Sequence, residues 1–413
     1  MMKQKIISTV ILVVTFISVG STQNLNLPTV FADAEKQTKV MLVEIPKAKA
    51  AGSAATVGLS PGGAGQELVS PRTLDSSKLR LVSSRDWTSG FFPGELWFLY
   101  EYTGKNEWKI EAEKYTAKIE REKTNGITHD MGFKVYCSFG TGYRLTNDAH
   151  YKEVIIHSAK TLSKRFNPNT GVIKSWDNRA KWKNPVIIDN MMNLELLFAA
   201  TQLTGDSSYH KIAVSHANTT MQNHFRSDYS SYHVLDYDSI TGKITQKTTH
   251  QGYANESAWS RGQAWGLYGY TMCYRFTKDK KYLQQAENIA AFMMLHKNFP
   301  NDLIPFYDYD DPAIPNVPRD ASAAAVMASA LLELSLYNKK KSESYRKVAN
   351  SILQNLTSTY RSPIGENRGF ILAHSTGSKP SNSEVDVPLS YADYYYLEAL
   401  LRSKKLKERK SLF

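Results

Sequence analysis

Cysteine, metal-ligand spacings and long apolar runs are scarce in this chain of 413 residues, and each scarcity excludes a class of protein. The two cysteines, Cys137 and Cys273, lie in apolar helical segments, so we predict buried thiols rather than a disulfide scaffold. The ten histidines show no His-x-x-x-His spacing, and neither a Cys-x-x-Cys pair nor a calcium loop accompanies them. The sequence therefore predicts no metal and no cofactor.

A long apolar run is found only at the N-terminus, where it has the three parts of a secretory signal. MMKQK is a short basic region, IISTVILVVTFISVG is apolar, and FADA ends in an Ala-x-Ala pattern that predicts cleavage after Ala34. A membrane anchor is the alternative, but the run is shorter than the ~20 residues that a spanning helix needs. We therefore expect residues 1–34 to be a signal peptide, the protein to be periplasmic or secreted, and the mature chain to have no membrane span.

Acidic residues are also in the minority, since 51 lysines and arginines outnumber 39 aspartates and glutamates and give a formal net charge of +12. The basic runs KKKSESYRK and RSKKLKERK are typical of solvated surface, because no helix-turn-helix, zinc-finger or base-stacking pattern accompanies them. We therefore expect no nucleic-acid partner, whereas a basic surface suits an anionic substrate.

Residues 35–75 differ in composition from residues 76–413. The stretch AKAAGSAATVGLSPGGAGQELVSP is rich in Gly, Ala, Ser and Pro, which is typical of a linker or an irregular arm. Aromatic and apolar residues are frequent from residue 76 to residue 413, and we expect this part to form one catalytic domain.

A degenerate repeat organises residues 76–413. Each copy has an apolar helix end, a polar turn and then an aromatic that begins a second helix; the aromatics are Trp108, Tyr151, Tyr209, Tyr282 and Tyr345. The segments before each turn are apolar nearly all round, whereas those after it carry a polar face. We therefore place the first set inside and the second set outside.

This repeat predicts an all-α fold, an (α/α)6 barrel of six helical hairpins whose long loops form one rim. The five turns and a final helix at 390–403 give eleven helices, and we expect the N-terminal arm to supply the twelfth. An α-solenoid is the alternative, but solenoid repeats keep a fixed period and these copies do not.

One apolar helix at the predicted rim carries polar residues at its start. VIIDNMMNLELLFAATQL predicts a helix from about Ile188 to Leu203, with Asp189, Asn190 and Asn193 in its first turns. An unpaired carboxylate beside the core is costly, so Asp189 either caps the helix or lies in a cavity and does chemistry. The two amides favour a hydrogen-bonded polar pocket around it.

Three more charged residues lie at predicted inner-helix starts: Asp130 in THDMGF, Arg261 in WSRGQAW and Asp320 in PRDASAA. Both aspartates fit N-caps, and for Asp320 we favour this interpretation. Arg261 would be an unpaired buried cation in a purely structural role, which favours a functional one. Tryptophan and phenylalanine beside such charges are typical of sugar-binding clefts.

Five long motifs carry a resemblance to a known family. DWTSGFFPGELW, HDMGF, VIIDNMMNLELLF, HQGYANESAWSRGQAWGLYGY and SEVDVPLSYADYYYLEAL resemble, in the same order, the motifs of unsaturated glucuronyl hydrolases, glycoside hydrolase family 88. The resemblance covers roughly residues 70–403, and residues before 70 depart from the pattern. It implies an (α/α)6 barrel that hydrates the vinyl ether of a 4,5-unsaturated uronic acid and thereby releases the neighbouring sugar of a lyase-made oligosaccharide.

The resemblance also implies roles for individual residues. Asp189 matches the general acid and base, and Asp130 matches a second carboxylate that positions and polarises it. Walls such as Met191 and Met192 would desolvate Asp189, and a nearby carboxylate would further disfavour its ionisation, so its pKa should be raised. The residues that match substrate contacts are Trp87, Phe91, His233, Gln251, Arg261, Trp265, Ser375, Ser378 and Lys379.

Three alternatives remain open from the sequence. RGQAW alone would be shared with hydrolases that act on unsaturated rhamnogalacturonan. An ordinary inverting glycosidase also uses two carboxylates but acts on saturated glycosides. A non-catalytic carbohydrate-binding protein would keep the aromatics and would not need both Asp130 and Asp189.

Overall fold

The computed structural model describes residues 25–51, 67–177 and 180–413. Within these ranges the chain forms twelve α-helices, and a π-helix, Gly132–Gly140, runs directly into the fourth. The helices are α1 Leu27–Ala50, α2 Phe91–Thr103, α3 Asn106–Ala117, α4 Thr141–Thr146, α5 Ala149–Ser163, α6 Asn190–Thr204, α7 Ser207–Asn223, α8 Ser260–Thr277, α9 Lys280–Leu295, α10 Ala321–Leu334, α11 Ser342–Thr359 and α12 Ser390–Lys407.

Six helices form an inner ring: α2, the π-helix with α4, α6, α8, α10 and α12. Each packs against the next, and α12 packs against α2, which closes the ring. Every residue of α10 is buried, whereas the outer helix α11 buries only the stripe that faces the core. The architecture is the predicted (α/α)6 barrel, and the contrast between apolar and amphipathic segments correctly separated inner from outer helices.

The predicted polar turns are confirmed, and their side chains explain the repeat. Between α6 and α7, Gly205 adopts a left-handed conformation, Thr204 Oγ1 accepts the N–H of Asp206, and the Asp206 carboxylate accepts the N–H of Ser208. A threonine, a left-handed residue and a capping aspartate therefore reverse the chain within two residues. The turns after α4 and α8 use the same device, with capping residues Asp148 and Asp279.

The N-terminal arm supplies the twelfth helix, as expected, whereas the prediction of a linker or irregular arm over residues 35–75 is wrong for its described parts. Helix α1 covers residues 35–50, and Phe31 in its second turn stacks on Tyr102 with ring centroids 3.6 Å apart. Asn26 caps the helix and a proline opens its first turn, which are ordinary start signals. Residues 52–66, which hold all five glycines and one of the two prolines of that stretch, lie outside the described residues.

Residues 68–75 are also regular, because they form strand β1, Leu68–Asp75, paired with β2, Lys78–Ser83, in an antiparallel hairpin. The other strands are short: β3 Phe166–Asn167, β4 Val172–Ile173, β5 Pro185–Ile187, β6 Val234–Tyr237 and β7 Ile244–Thr248. Strands β5, β6 and β7 form a three-stranded antiparallel sheet at the rim. This sheet therefore places the residues that directly follow β5 beside those that directly precede β6.

Helix α1 bears on the predicted signal cleavage. Ala34 is buried in α1, and cleavage after it would remove Leu27, Val30 and Phe31, all of which are buried. Residues 1–24 lie outside the described residues, so the signal peptide itself stays a prediction. If a signal is removed, the helix requires the cut to lie before Leu27.

We expect a chain that begins at residue 35 to be at least ~5 kcal/mol less stable than one that begins at residue 24, because losing one buried phenylalanine alone costs about 3–5 kcal/mol. Urea unfolding of the two chains measures the difference, and N-terminal sequencing of the exported protein locates the cut. Equal stability, or a mature N-terminus at Glu35, would contradict a structural role for the first turns of α1.

Two further expectations can be compared with the described residues. Cys137 and Cys273 are both buried free thiols, as predicted. Among the helices of the described ranges, none has the length and apolar character needed to cross a membrane.

Candidate active site

The long loops of the barrel rim surround a cavity of about 100 Å³. Its lining combines two aspartates, tryptophans, a histidine and a serine-rich loop, which come from segments far apart in the sequence. The lining residues are Arg72, Trp87, Asp130, Trp176, Ile187, Asp189, His250, Gln251, Gly377, Ser378, Ser381, Ser383, Glu384 and Tyr391.

A larger cavity, of about 240 Å³, lies toward the opposite end of the inner helices, but its charges are matched to one another. Glu101 accepts two hydrogen bonds from Arg144, Glu195 pairs with Arg275, and Glu398 pairs with Arg402. All three carboxylates already have guanidinium partners, whereas the rim cavity contains the carboxyl of Asp189, whose Oδ2 has no hydrogen-bond partner among the described residues, so we assign the chemistry to the rim cavity.

Asp189 follows strand β5 and occupies the N-cap position of α6, yet its side chain makes no capping hydrogen bond within the described chain. Only 10% of this side chain is exposed, and Oδ2 has no hydrogen-bond partner among the described residues. Burial raises the pKa of Asp189 to about 7; the charge of Asp130 acts in the same direction, while Arg261 lowers it. A carboxyl in this state can carry a proton near neutral pH.

His233 faces Asp189 as a neutral donor. Its Nδ1 atom accepts the backbone N–H groups of His250 and Gln251, each at 3.2 Å, so the ring proton must lie on Nε2. Nε2 lies 3.7 Å from Oδ2 of Asp189, and burial lowers the pKa of His233 well below its ordinary value. The ring stacks on Trp259 with centroids 4.4 Å apart, which fixes its orientation.

Asp130 lies on the loop that leads into the π-helix and lines the same cavity. Thr128 Oγ1 donates to Oδ2 at 2.5 Å, and Nε2 of the buried His129 lies 3.2 Å from Oδ1. These contacts hold the carboxylate on the cavity wall, where its charge acts on Asp189. The two aspartates predicted to be catalytic are therefore brought together.

The amides beside Asp189 serve the framework, so the prediction that they form a pocket around the carboxyl is wrong. Asn190 donates through Nδ2 to the carbonyl of Ile173, and Asn193 Oδ1 accepts the N–H of Phe133 at the start of the π-helix. Gly132 permits this approach, because a Cβ there would lie 2.7 Å from Cα of Asn193. These contacts tie the π-helix, which comes after Asp130, to the helix that begins after Asp189.

The predicted aromatic residues lie at different depths. Trp87 lines the cavity, and its ring is tilted against Tyr391 with centroids 4.9 Å apart. Phe91 is fully buried behind it. Trp265 is also fully buried and packs against Phe133, and its indole N–H lowers the pKa of Asp189. Trp87 can therefore contact a sugar directly, whereas Phe91 and Trp265 belong to the hydrophobic core and do not line the cavity.

Comparisons with known proteins agree with this geometry. The model of Glycosyl Hydrolase Family 88 matches residues 68–271. An unsaturated glucuronyl hydrolase from Formosa agariphila is 53% identical over 328 residues, which are 79% of this chain and 82% of that protein. The chain belongs to glycoside hydrolase family 88.

Solved structures of this family superimpose on most of the chain. A crystal structure of an unsaturated glucuronyl hydrolase specific for heparin has a TM-score of 0.84 and 46% sequence identity, and the match covers 93% of this chain and 99% of that one. A variant of the Streptococcus agalactiae enzyme, complexed with dGlcA-GalNAc6S, has a TM-score of 0.75 and 28% identity, with 92% and 93% covered. The protein is thus a glycoside hydrolase, and its family acts on unsaturated uronates from lyase-generated oligosaccharides.

The structure gives Arg261 protein partners. Nη1 donates to Asp320 at 2.6 Å and to the Thr376 carbonyl at 2.5 Å, while Nη2 donates to the Gly377 carbonyl at 2.7 Å. Asp320 also caps α10, as expected from the sequence, by accepting the N–H of Ser322. In this family member Arg261 is therefore a paired buried cation that joins α8, α10 and the loop before α12.

The remaining predicted contacts divide between the cavity and its surroundings. Gln251 and Ser378 line the cavity, and Gln251 Nε2 donates to the Gly377 carbonyl at 2.9 Å. Ser375 is fully buried beside them. Lys379 lies outside the lining and pairs with Asp311 at 3.1 Å. The structure thus groups part of the serine-rich loop with the catalytic aspartates and leaves its lysine outside.

Several cavity residues were missed by sequence reasoning, notably Arg72, Trp176, His250, Glu384 and Tyr391. Glu384 and Tyr391 lie within one of the five long motifs and His250 begins another, so membership of these motifs was the available signal. Trp176 comes from an irregular loop, and Arg72 from the segment interpreted as a linker. Nothing in their local sequence indicates which of them face the cavity.

The raised pKa of Asp189 predicts a pH dependence for this enzyme. If Asp189 is the general acid, kcat/KM should fall as pH rises through about 7, because deprotonation removes the proton that the first step needs. The pH profile of kcat/KM on an unsaturated disaccharide measures this limb. Asp130→Asn should move the limb to lower pH, since the charge of Asp130 raises the pKa of Asp189; an unmoved limb would contradict their coupling.

Proposed function

We propose that this protein hydrates the double bond of a 4,5-unsaturated uronic acid at the non-reducing end of lyase-generated oligosaccharides and so releases the neighbouring sugar. The observation that carries the proposal is Asp189, a buried carboxyl with a pKa of about 7 that faces a rim cavity beside a second carboxylate. A vinyl ether needs one proton before water can add, and such a carboxyl supplies it.

The reaction follows from the placement of these groups. The Asp189 carboxyl transfers its proton to C4, and positive charge develops at C5 and the ring oxygen. Water adds to C5 and returns a proton to the Asp189 carboxylate, so the acid is regenerated. The product is a hemiketal at C5, which opens and frees the sugar that was attached to the anomeric carbon.

Three neighbours support individual stages of this sequence. The negative charge of Asp130 raises the pKa of Asp189 and favours the positive charge that develops on the ring. The Nε2–H of His233 faces Oδ2 of Asp189 and stabilises the carboxylate after the proton has left. Trp87 offers its face to the sugar at the cavity wall.

Loss of the ultraviolet absorbance of the unsaturated ring is the direct test. Lyase-made disaccharides should lose this absorbance with the wild-type protein, whereas saturated glycosides should not be cleaved. In deuterium oxide the product should carry one deuteron at C4, because the proton comes from an exchangeable carboxyl. An unlabelled C4 by NMR, or cleavage of saturated glycosides alone, would favour the inverting glycosidase instead.

Substrate class can be proposed more narrowly. The solved structure with 46% identity is specific for heparin by its description, and relatives at 30–32% identity are described as unsaturated chondroitin disaccharide hydrolases. We propose unsaturated disaccharides of glycosaminoglycans, with the heparin type turned over best. Comparison of kcat/KM on heparin- and chondroitin-derived disaccharides tests this order, and a higher value on the chondroitin type would contradict it.

A further inference from the structure

The loop between α11 and α12 closes one wall of the cavity as a tight hairpin, residues 377–384, which we call the serine hairpin. Ser378 and Ser383 exchange both backbone hydrogen bonds, at 2.9 and 3.0 Å, and Gly377 donates its N–H to the carbonyl of Glu384. The members that line the cavity are Gly377, Ser378, Ser381, Ser383 and Glu384. The position of this hairpin therefore sets the width of the cavity on that side.

Trp87 belongs to a different cavity wall, and its backbone is set by the residue before it. Asp86 Oδ1 accepts both the N–H and the hydroxyl of Thr88, at 2.9 and 2.7 Å. This closed turn holds the tryptophan at the start of the segment that leads into α2. The other carboxylate oxygen of Asp86, Oδ2, takes part in a contact with strand β1.

Arg72 of strand β1 joins the two walls. Its Nη1 donates to Oδ2 of Asp86 at 2.7 Å, while Nε and Nη2 donate to the two carboxylate oxygens of Glu384 at 2.5 and 2.8 Å. Arg72 is buried and itself lines the cavity. The planar guanidinium matches the Glu384 carboxylate with two parallel hydrogen bonds, which fixes direction as well as distance.

The backbone of Glu384 shows that this contact holds the hairpin in place. Glu384 has φ of 56°, in the left-handed region that a non-glycine residue adopts only when its surroundings hold it there. Its Cβ also lies where a side chain on Gly377 would be, 2.7 Å from an ideal Cβ. The Arg72 pair and the small Gly377 together keep the two hairpin strands in this arrangement.

We propose that Arg72 is a positioning residue that fixes the separation of Trp87 and the serine hairpin and thereby sets the affinity for the sugar bound between them. This inference rests on the proposed function, since the sugar is the unsaturated disaccharide. Arg72 acts through its two carboxylate partners. A change of Arg72 should therefore weaken substrate binding more than it slows the proton transfer at Asp189.

Steady-state kinetics of Arg72→Lys on the unsaturated disaccharide tests the proposal, because lysine keeps the charge and loses the fork. We expect KM to rise about tenfold while kcat stays within about twofold, the pattern of lost ground-state binding. The pH limb assigned to Asp189 should not move. Glu384→Gln should reproduce the rise in KM. The double variant should have a KM no higher than that of Arg72→Lys, because both changes remove the same contact between Arg72 and Glu384.

Arg144→Lys is the matched control, because Arg144 makes a similar two-fold contact with Glu101 at the far cavity. It should leave KM unchanged. If Arg72→Lys does not fold, Glu384→Gln carries the test alone. If the wild type is inactive on unsaturated disaccharides, the proposed function is overturned. If the wild type is active but Arg72→Lys leaves KM unchanged, only this inference is overturned. Where Arg72→Lys does not fold, an unchanged KM in Glu384→Gln has the same meaning. In Arg72→Lys, a shifted pH limb, or a fall in kcat as large as the expected rise in KM, would also overturn this inference.

Discussion

Asp189→Asn is expected to abolish turnover while leaving the protein folded and able to bind its disaccharide. The amide has the shape of the carboxyl but cannot give and retake a proton, and loss of a general acid typically costs about 10²–10⁴-fold in rate. Single-turnover kinetics and calorimetric binding of the disaccharide measure the two properties separately. Retention of more than a few per cent of the activity would exclude Asp189 as the acid.

The same variant has a stability signature that a merely inactive protein would lack. The folded-state pKa of Asp189, about 7, lies above the ordinary value of 3.8, so the stability that the protonated carboxyl gives is fully present below pH 3.8 and lost as pH rises through 7. Asp189→Asn has no such titration. Its stability relative to the wild type should therefore rise between pH 4 and pH 8 in urea unfolding, and a flat difference would contradict the raised pKa.

Asp130→Asn serves as the comparison, since it removes the other carboxylate of the cavity. We expect severe loss of kcat because its charge acts on Asp189, yet a residual rate that Asp189→Asn lacks. A rate equal to that of the wild type would remove Asp130 from the catalytic pair.

Arg261→Ala is expected to lower the free energy of unfolding by about 3–5 kcal/mol, because it leaves a buried carboxylate without its partner. Asp320 is fully buried and would face this loss at the N-terminus of α10. The Thr376 carbonyl would lose the hydrogen bond from Arg261 as well, and within the described chain the Gly377 carbonyl would keep only the one from Gln251. Urea unfolding measures the change, and Arg261→Lys should be intermediate.

Esterified substrate separates this structural role from recognition of the substrate carboxylate. The family resemblance places Arg261 among the substrate contacts, and if it pairs with that carboxylate, methyl-esterification should penalise the wild type strongly and Arg261→Lys less. The protein partners of Arg261 predict instead equal penalties for both enzymes. If Arg261→Ala were as stable as the wild type, the structural role would be contradicted, whatever the result with the esterified substrate.

Much of the fold could be predicted from local sequence because the physics of a helical hairpin is local. The repeat combines a segment that is apolar nearly all round, a capped two-residue turn and an amphipathic partner within a short stretch of sequence. This pattern indicated the barrel and separated its inner helices from its outer ones. Helix α1 was expected only as the helix that closes the barrel, and its bounds were missed because the neighbouring residues 52–66, with five glycines and one proline, dominated the composition. Its cap and first-turn proline were present in the sequence but were outweighed.

The candidate site could be predicted only where a residue conflicts with its own surroundings. Asp189 was identified because a carboxylate in an apolar run needs an explanation. Arg72 raises no such conflict, since its partners Asp86 and Glu384 lie 14 and 312 positions away. Arg261 was identified as a buried cation, but its partner, 59 positions away, was assigned only to capping. Pairings over such distances depend on the tertiary fold.

The capped turns and the rim loops differ in how well they tolerate insertions. Each turn between an inner helix and the outer helix after it is short, and several need a threonine, a left-handed residue and a capping aspartate, so an insertion there would break a hairpin. The rim connections, such as 224–259 and 360–389, are much longer, and specific contacts hold only parts of them, such as the sheet strands and the serine hairpin. Lengthening a flexible loop twofold costs only about 0.6 kcal/mol in closure entropy. Selection can therefore lengthen the unpaired parts of the sugar-facing rim at little cost to folding, which makes substrate range easier to change than the hairpin turns.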